Sequence, residues 1–169
     1  MEDFDKGILY IIMRTDLPSL NPGKAMAQAS HASSMLVSNK DNYDKNMRKL
    51  IDNWINEGNG FGTTVVMETP HPLDITQAIS RAMLSGIKMI SDSVVDDTYP
   101  FLMQKELWRL LHPSVQSSLG ITILDKEMDR FGMLKATRKE TTCWWIFVNY
   151  DDVEKLKEVF KENNITLAL

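Results

Sequence analysis

The run Ile8-Leu9-Tyr10-Ile11-Ile12-Met13 is apolar on both alternations, which predicts a central strand covered on both faces. A polar turn follows, then a helix whose start is marked by Asn21 as N-cap and Pro22 at the first helical position. Helical spacing separates a polar stripe of Lys24, Gln28 and His31 from a line of Ala25, Ala29, Ala32 and Leu36. The polar break Ser38–Asn42 is expected to cap the next helix, in which Tyr43, Met47, Leu50, Ile51, Trp54 and Ile55 recur at helical intervals. Gly58-Asn59-Gly60 ends that helix, and Trp54 falls on its buried stripe.

Thr63–Glu68 reads as a strand by its β-branched content, and Pro70-His71-Pro72 as a rigid turn with His71 exposed. Ile75, Ala78, Ile79, Ala82 and Met83 mark a helix stopped near Gly86, and Ile87–Ser91 is the next strand. Strand, helix and strand in close succession imply a parallel pair with a right-handed crossover. Within Pro100–Ser118, Leu102, Met103, Leu107, Trp108, Leu110 and Leu111 suggest a short helix ended before Pro113, serving as a lid, a subunit contact or added core. The strand Cys143–Tyr150, the capping-box pair Asp151 and Glu154, a helix through Val153, Leu156, Val159 and Phe160, and a short strand at Ile165–Leu167 form a second strand, helix, strand unit.

At 169 residues, 43% hydrophobic and 25% charged, the chain is expected to be a single globular domain. Its net charge of −4 gives no bulk attraction to nucleic acid, so any RNA contact needs a local basic patch. No apolar run approaches the ~18 residues of a membrane span and the start lacks a leader's apolar core, so a cytoplasmic protein without membrane attachment is expected. The lone Cys143 reads as core, and His31, His71 and His112 lack metal-ligand spacing, so neither metal nor cofactor is implied. There is no Ser-His-Asp order, Walker loop or dinucleotide fingerprint. Gly58-Asn59-Gly60-Phe61-Gly62 precedes a strand instead of opening a helix, which excludes a phosphate cradle.

Lys24 is the unusual residue of the first helix. A cation in the first turn opposes the helix dipole, yet an ammonium beside the unpaired first-turn amides suits a phosphate or a developing oxyanion. Met13-Arg14-Thr15-Asp16-Leu17 followed by Gly23-Lys24-Ala25-Met26-Ala27-Gln28-Ala29-Ser30-His31-Ala32 resembles the N-terminal signature of the peptidyl-tRNA hydrolase type 2 (Pth2) family, Arg-x-Asp-Leu and then Gly-Lys-x-Ala-Ala-Gln-Cys-x-His-Ala. The family's tryptophan-containing helix end, second strand and aspartate-led loop have counterparts in Trp54, Thr64–Glu68 and Asp92. Asp92-Ser93-Val94-Val95-Asp96-Asp97-Thr98 keeps the aspartate of the family loop Asp-Ala-Gly-x-Thr, loses its glycine, and offers Thr98 for its threonine after an offset. Leu119-Gly120-Ile121 and Asp129–Lys135 resemble the family's closing motifs.

The resemblance implies a three-layer α/β sandwich with a mixed sheet, one domain over residues 1–169, a family-like core over 7–135 and a C-terminal extension over 141–169. It implies hydrolysis of the ester joining a peptide to tRNA, with peptidyl-tRNA as partner. Lys24 would stabilise the oxyanion or a phosphate, Asp92 would pair with Lys24 or orient the water, Thr98 would stand in the same loop, and His31, ~10 Å along the helix, is a further catalytic candidate. Arg14, Asp16, Gln28, Arg130 and Lys135 would contact substrate. The loss of the glycine, the inserted segment and the acidic balance favour an alternative, a non-catalytic protein of this fold that binds RNA, a nucleotide or a protein partner. A third reading is a homodimer formed through Trp108 or the Trp144-Trp145 strand.

Overall fold

The computed structural model describes residues 6–57, 62–124 and 132–168. The helix end read at Gly58-Asn59-Gly60 and the substrate contact read at Arg130 lie outside them. In chain order the elements are β1 (Gly7–Arg14), α1 (Pro22–Ser38), α2 (Lys45–Asn56), β2 (Thr64–Thr69), α3 (Pro72–Leu84), β3 (Met89–Gln104), α4 (Lys105–Leu110), α5 (Pro113–Ser118), β4 (Thr122–Ile123), β5 (Met133–Asn149), α6 (Val153–Glu162) and β6 (Thr166–Leu167). They form two compact units, Met1–Val94 with Thr142–Leu169, and Val95–Thr141.

The first unit is built on β1, every residue of which is buried. Its neighbours are β2, parallel from Leu9↔Thr64 to Arg14↔Thr69, and β5, antiparallel from Gly7↔Asn149 to Met13↔Cys143. Because side chains alternate along a strand, Ile8, Tyr10 and Ile12 pack with Ile75, Ala78 and Ala82 of α3 and Leu156 and Phe160 of α6. Leu9, Ile11 and Met13 pack on the other face with Ala32 and Leu36 of α1 and Leu50, Ile51 and Trp54 of α2. The two-sided apolar run therefore does what its pattern predicts, and the three-layer α/β arrangement with a mixed sheet follows from it.

Local signals explain the helix ends. The Asn21 side chain accepts from the Lys24 N–H at 3.0 Å, capping α1 where expected. The cap of α2 is not in Ser38–Asn42, which forms the end of α1 and a short 3-10 turn. Asp44 takes that role, extended at φ −62°, ψ 164°, with Oδ1 accepting from Asn46 and Met47 at 2.8 and 3.0 Å. Gly86, at φ +74°, closes the turn after α3. Met83 stays 66% exposed, since it lies five residues, about 140°, around the helix from the buried Ala78.

One expectation is corrected. The strand after α3 does not pair with β2: the sheet order is β3-β5-β1-β2-β6, so the parallel pair is β1 with β2 and β3 lies beside β5. The free side of β2 is taken by β6, antiparallel through Met67↔Leu167 and Glu68↔Thr166. The segment read as a C-terminal extension, residues 141–169, completes the strand that pairs with β1, and α6 helps form the layer over that face. Trp144, partly buried, and Trp145, inaccessible, accordingly pack in the two core layers.

In the second unit the short helix expected before Pro113 is α4, a further helix, α5, begins at Pro113, and Leu102 and Met103, expected in the helix, instead belong to β3. Proline cannot continue a helix whose preceding carbonyls need its N–H, and it starts α5 well for the same reason. The Arg138 guanidinium lies 5.1 Å from the centre of the Phe101 ring, and the Leu124 N–H donates to the Lys135 carbonyl at 2.9 Å.

Candidate active site at the carboxyl ends of β1 and β2

β1 and β2 lie side by side and run in the same direction, but the chain leaves them toward opposite faces: α1 covers one side of the sheet and α3 the other. In open α/β sheets such a divergence leaves a crevice at the carboxyl ends of the strands, flanked by two helix N-termini, and ligands bind there. The residues at this place are Arg14 and Thr69, paired in register, then Asp16, the first turn of α1 with Lys24, and His71 before α3.

Arg14 is buried at 8% exposure and donates twice to Asp16, from Nε to Oδ1 at 2.9 Å and from Nη2 to Oδ2 at 2.6 Å. These bonds hold the Asp16 carboxyl below its ordinary range, and the charge of nearby His71 pulls it in the same direction. The Thr15 N–H donates to the Thr69 carbonyl at 3.0 Å, stitching the two turns together. The buried Thr69 hydroxyl lies 3.3 Å from the His71 N–H and 3.4 Å from Asp74 Oδ2, so it fixes the start of α3. Lys24 is half-buried.

Of the residues singled out from the sequence, the structure gathers Arg14, Asp16 and Lys24 here. Gln28 belongs to the polar stripe only at its margin. It is buried against the sheet, its Oε1 within 3.0 Å of the Thr142 hydroxyl, which is also 3.1 Å from the Val94 carbonyl. On a helical wheel Gln28 stands only about 40° from Ala32, which explains its inward turn. His31 is exposed on the outer side of α1.

Asp92 is not in a loop. It sits exposed inside β3, accepts from the Ser93 N–H at 2.7 Å, and its charge adds to burial in raising the Tyr43 phenol. Tyr43 follows the C-terminal end of α1, whereas Lys24 stands in the first turn of that ~25 Å helix. Asp92 thus neighbours Tyr43. Thr98 and Lys135 belong to the second unit. Thr98 donates to Asp96 Oδ1 from its N–H at 2.9 Å and lies 3.3 Å from it through its hydroxyl, and Lys135 is an exposed residue of β5.

Sequence reasoning passed over His71 and Thr69. The signal was present in Pro70-His71-Pro72, a stiff turn directly after a parallel strand, but strand order was needed to place it beside Asp16. Among the described residues no group of three or more His, Cys, Asp or Glu stands close enough to hold a metal ion. No helix among them is long and apolar enough to cross a membrane.

The family model described as peptidyl-tRNA hydrolase PTH2 matches residues 8–99, which span β1 to the middle of β3 and include all of the crevice. The chain belongs to the peptidyl-tRNA hydrolase type 2 family. No curated protein matches it.

Proposed function

We propose that this protein hydrolyses the ester between a peptide and the terminal ribose of tRNA, with the crevice at the carboxyl ends of β1 and β2 as the place of reaction. The observation that carries this reading is Lys24 in the first turn of α1, at that crevice and inside the matched residues. Ester hydrolysis passes through a tetrahedral oxyanion, and an ammonium beside helix-start N–H groups stabilises such a charge. Lys24 and the N-terminal turn of α1 meet the oxyanion or the nearest phosphate. The Arg14–Asp16 pair makes the floor rigid, because each partner fixes the other in two bonds. The ester is a product of translation, which makes the cytoplasm the working place.

A second reading has one observation behind it. Asp92 lies in a strand next to Tyr43 instead of in a glycine loop, which favours a member that binds tRNA without cleaving it. The test is to incubate the whole chain with N-acetylated aminoacyl-tRNA and follow both retention of tRNA and release of the N-acetylamino acid. Release at a rate above the uncatalysed ester supports hydrolysis. Retention of tRNA without release supports the binding protein.

A further inference from the structure

We propose that His71 is the base of this hydrolysis, taking a proton from the water that attacks the ester carbonyl, and that Asp16 is the positioning residue for its imidazole. The inference rests on the hydrolase reading above. A reaction of this kind needs a group that accepts the proton of the attacking water, and Asp92, the residue expected for it, is placed with Tyr43.

His71 is suited to the task in four respects. It follows Thr69, which is in register with Arg14, so it stands at the same end of the sheet as Asp16, two residues beyond each partner of that pair. Its backbone is stiff: Pro72 confines the preceding residue to extended conformations, found here at φ −126°, ψ 115°, and the His71 N–H lies 3.3 Å from the Thr69 hydroxyl. Its imidazole is exposed and is not spent on capping α3. Finally, Asp16 is fixed from behind by Arg14 while 34% of its side chain remains accessible, which leaves carboxylate surface to orient an imidazole.

The step balances without any other reagent. Water adds its oxygen to the ester carbonyl carbon as His71 takes one of its protons. The tetrahedral intermediate, its oxyanion facing Lys24, then collapses. The carbon–ribose oxygen bond breaks, and the imidazolium returns the proton to the ribose oxygen. The products are the peptide acid and the free tRNA hydroxyl.

The experiment compares wild type, His71→Ala, His71→Gln and Asp16→Asn on N-acetylated aminoacyl-tRNA, with thermal melting to establish folding. We expect kcat to fall ~10²–10⁴-fold in the His71 variants at unchanged KM, less in Asp16→Asn, and imidazole in the buffer to restore part of the turnover of His71→Ala. Turnover of the His71 variants within ~3-fold of an active wild type overturns the inference and leaves the hydrolase reading standing. A fall that appears as raised KM and resists imidazole makes His71 a binding residue and also overturns it. A wild type that retains tRNA but releases nothing overturns the hydrolase reading, and the inference with it.

Discussion

Arg14 and Asp16 hold each other through two bonds, 2.9 and 2.6 Å long, at the point where β1 ends and the chain turns toward α1. The guanidinium is buried and the carboxylate is 34% exposed. Removing one partner of a buried pair costs more than the pair contributes, because the other charge loses its compensation. Partial exposure of Asp16 reduces that cost, so Asp16→Ala is expected to lose ~1–3 kcal/mol, read from urea unfolding at pH 7.

The same pair sets a pH dependence. The folded Asp16 carboxyl lies below its ordinary value of 3.8, so the native state binds its proton more weakly than the unfolded chain. Its stabilisation is complete above pH 3.8 and is lost as pH falls through the lower folded value. The stability gap between wild type and Asp16→Ala should therefore be level from pH 7 to 5 and close only below pH ~4. A gap that closes at neutral pH would assign it to another group.

Cys143 is buried, and burial pushes its thiol up to about 12. Thiolate is the reactive form, so the native protein should resist thiol reagents at pH 8 and the unfolded chain should react with one equivalent. Rapid labelling of native protein would contradict its buried placement on β5 against α1.

Trp54 donates from its indole N–H to the Thr63 carbonyl at 2.8 Å and meets the Phe147 ring edge-to-face at 5.9 Å. It ties α2 to the sheet. A Cβ on Gly62 would run into the indole, so Gly62→Ala forces the ring or the chain to move. Trp54→Ala should cost ~3–5 kcal/mol and Gly62→Ala ~1–3 kcal/mol, both visible in thermal melting.

What the sequence revealed and what it hid have physical reasons. β1 and α1 were legible because each carries its own signal, two-sided apolarity in one and Asn21-Pro22 in the other. β3 was half legible: Val94, Val95, Thr98 and Tyr99 have strand propensity, but a motif beginning at Asp92 drew attention to a loop. The first half of β5 was hidden because Lys135, Arg138, Lys139 and Glu140 interrupt any apolar alternation, although Leu134 and Ala136 are buried. The place of β5 beside β1 is a long-range pairing, which local patterns do not encode. The candidate site shared that fate. Lys24 announced itself within one helix, while the nearness of His71 to Asp16 depends on which strands are neighbours.

The most direct measurement is release of the N-acetylamino acid from N-acetylated aminoacyl-tRNA by wild type and by Lys24→Ala, each checked for folding. We expect kcat/KM to fall at least ~100-fold in the variant, which corresponds to ~2.7 kcal/mol of transition-state stabilisation. Equal turnover by the two proteins would contradict the assignment of the reaction to the carboxyl ends of β1 and β2.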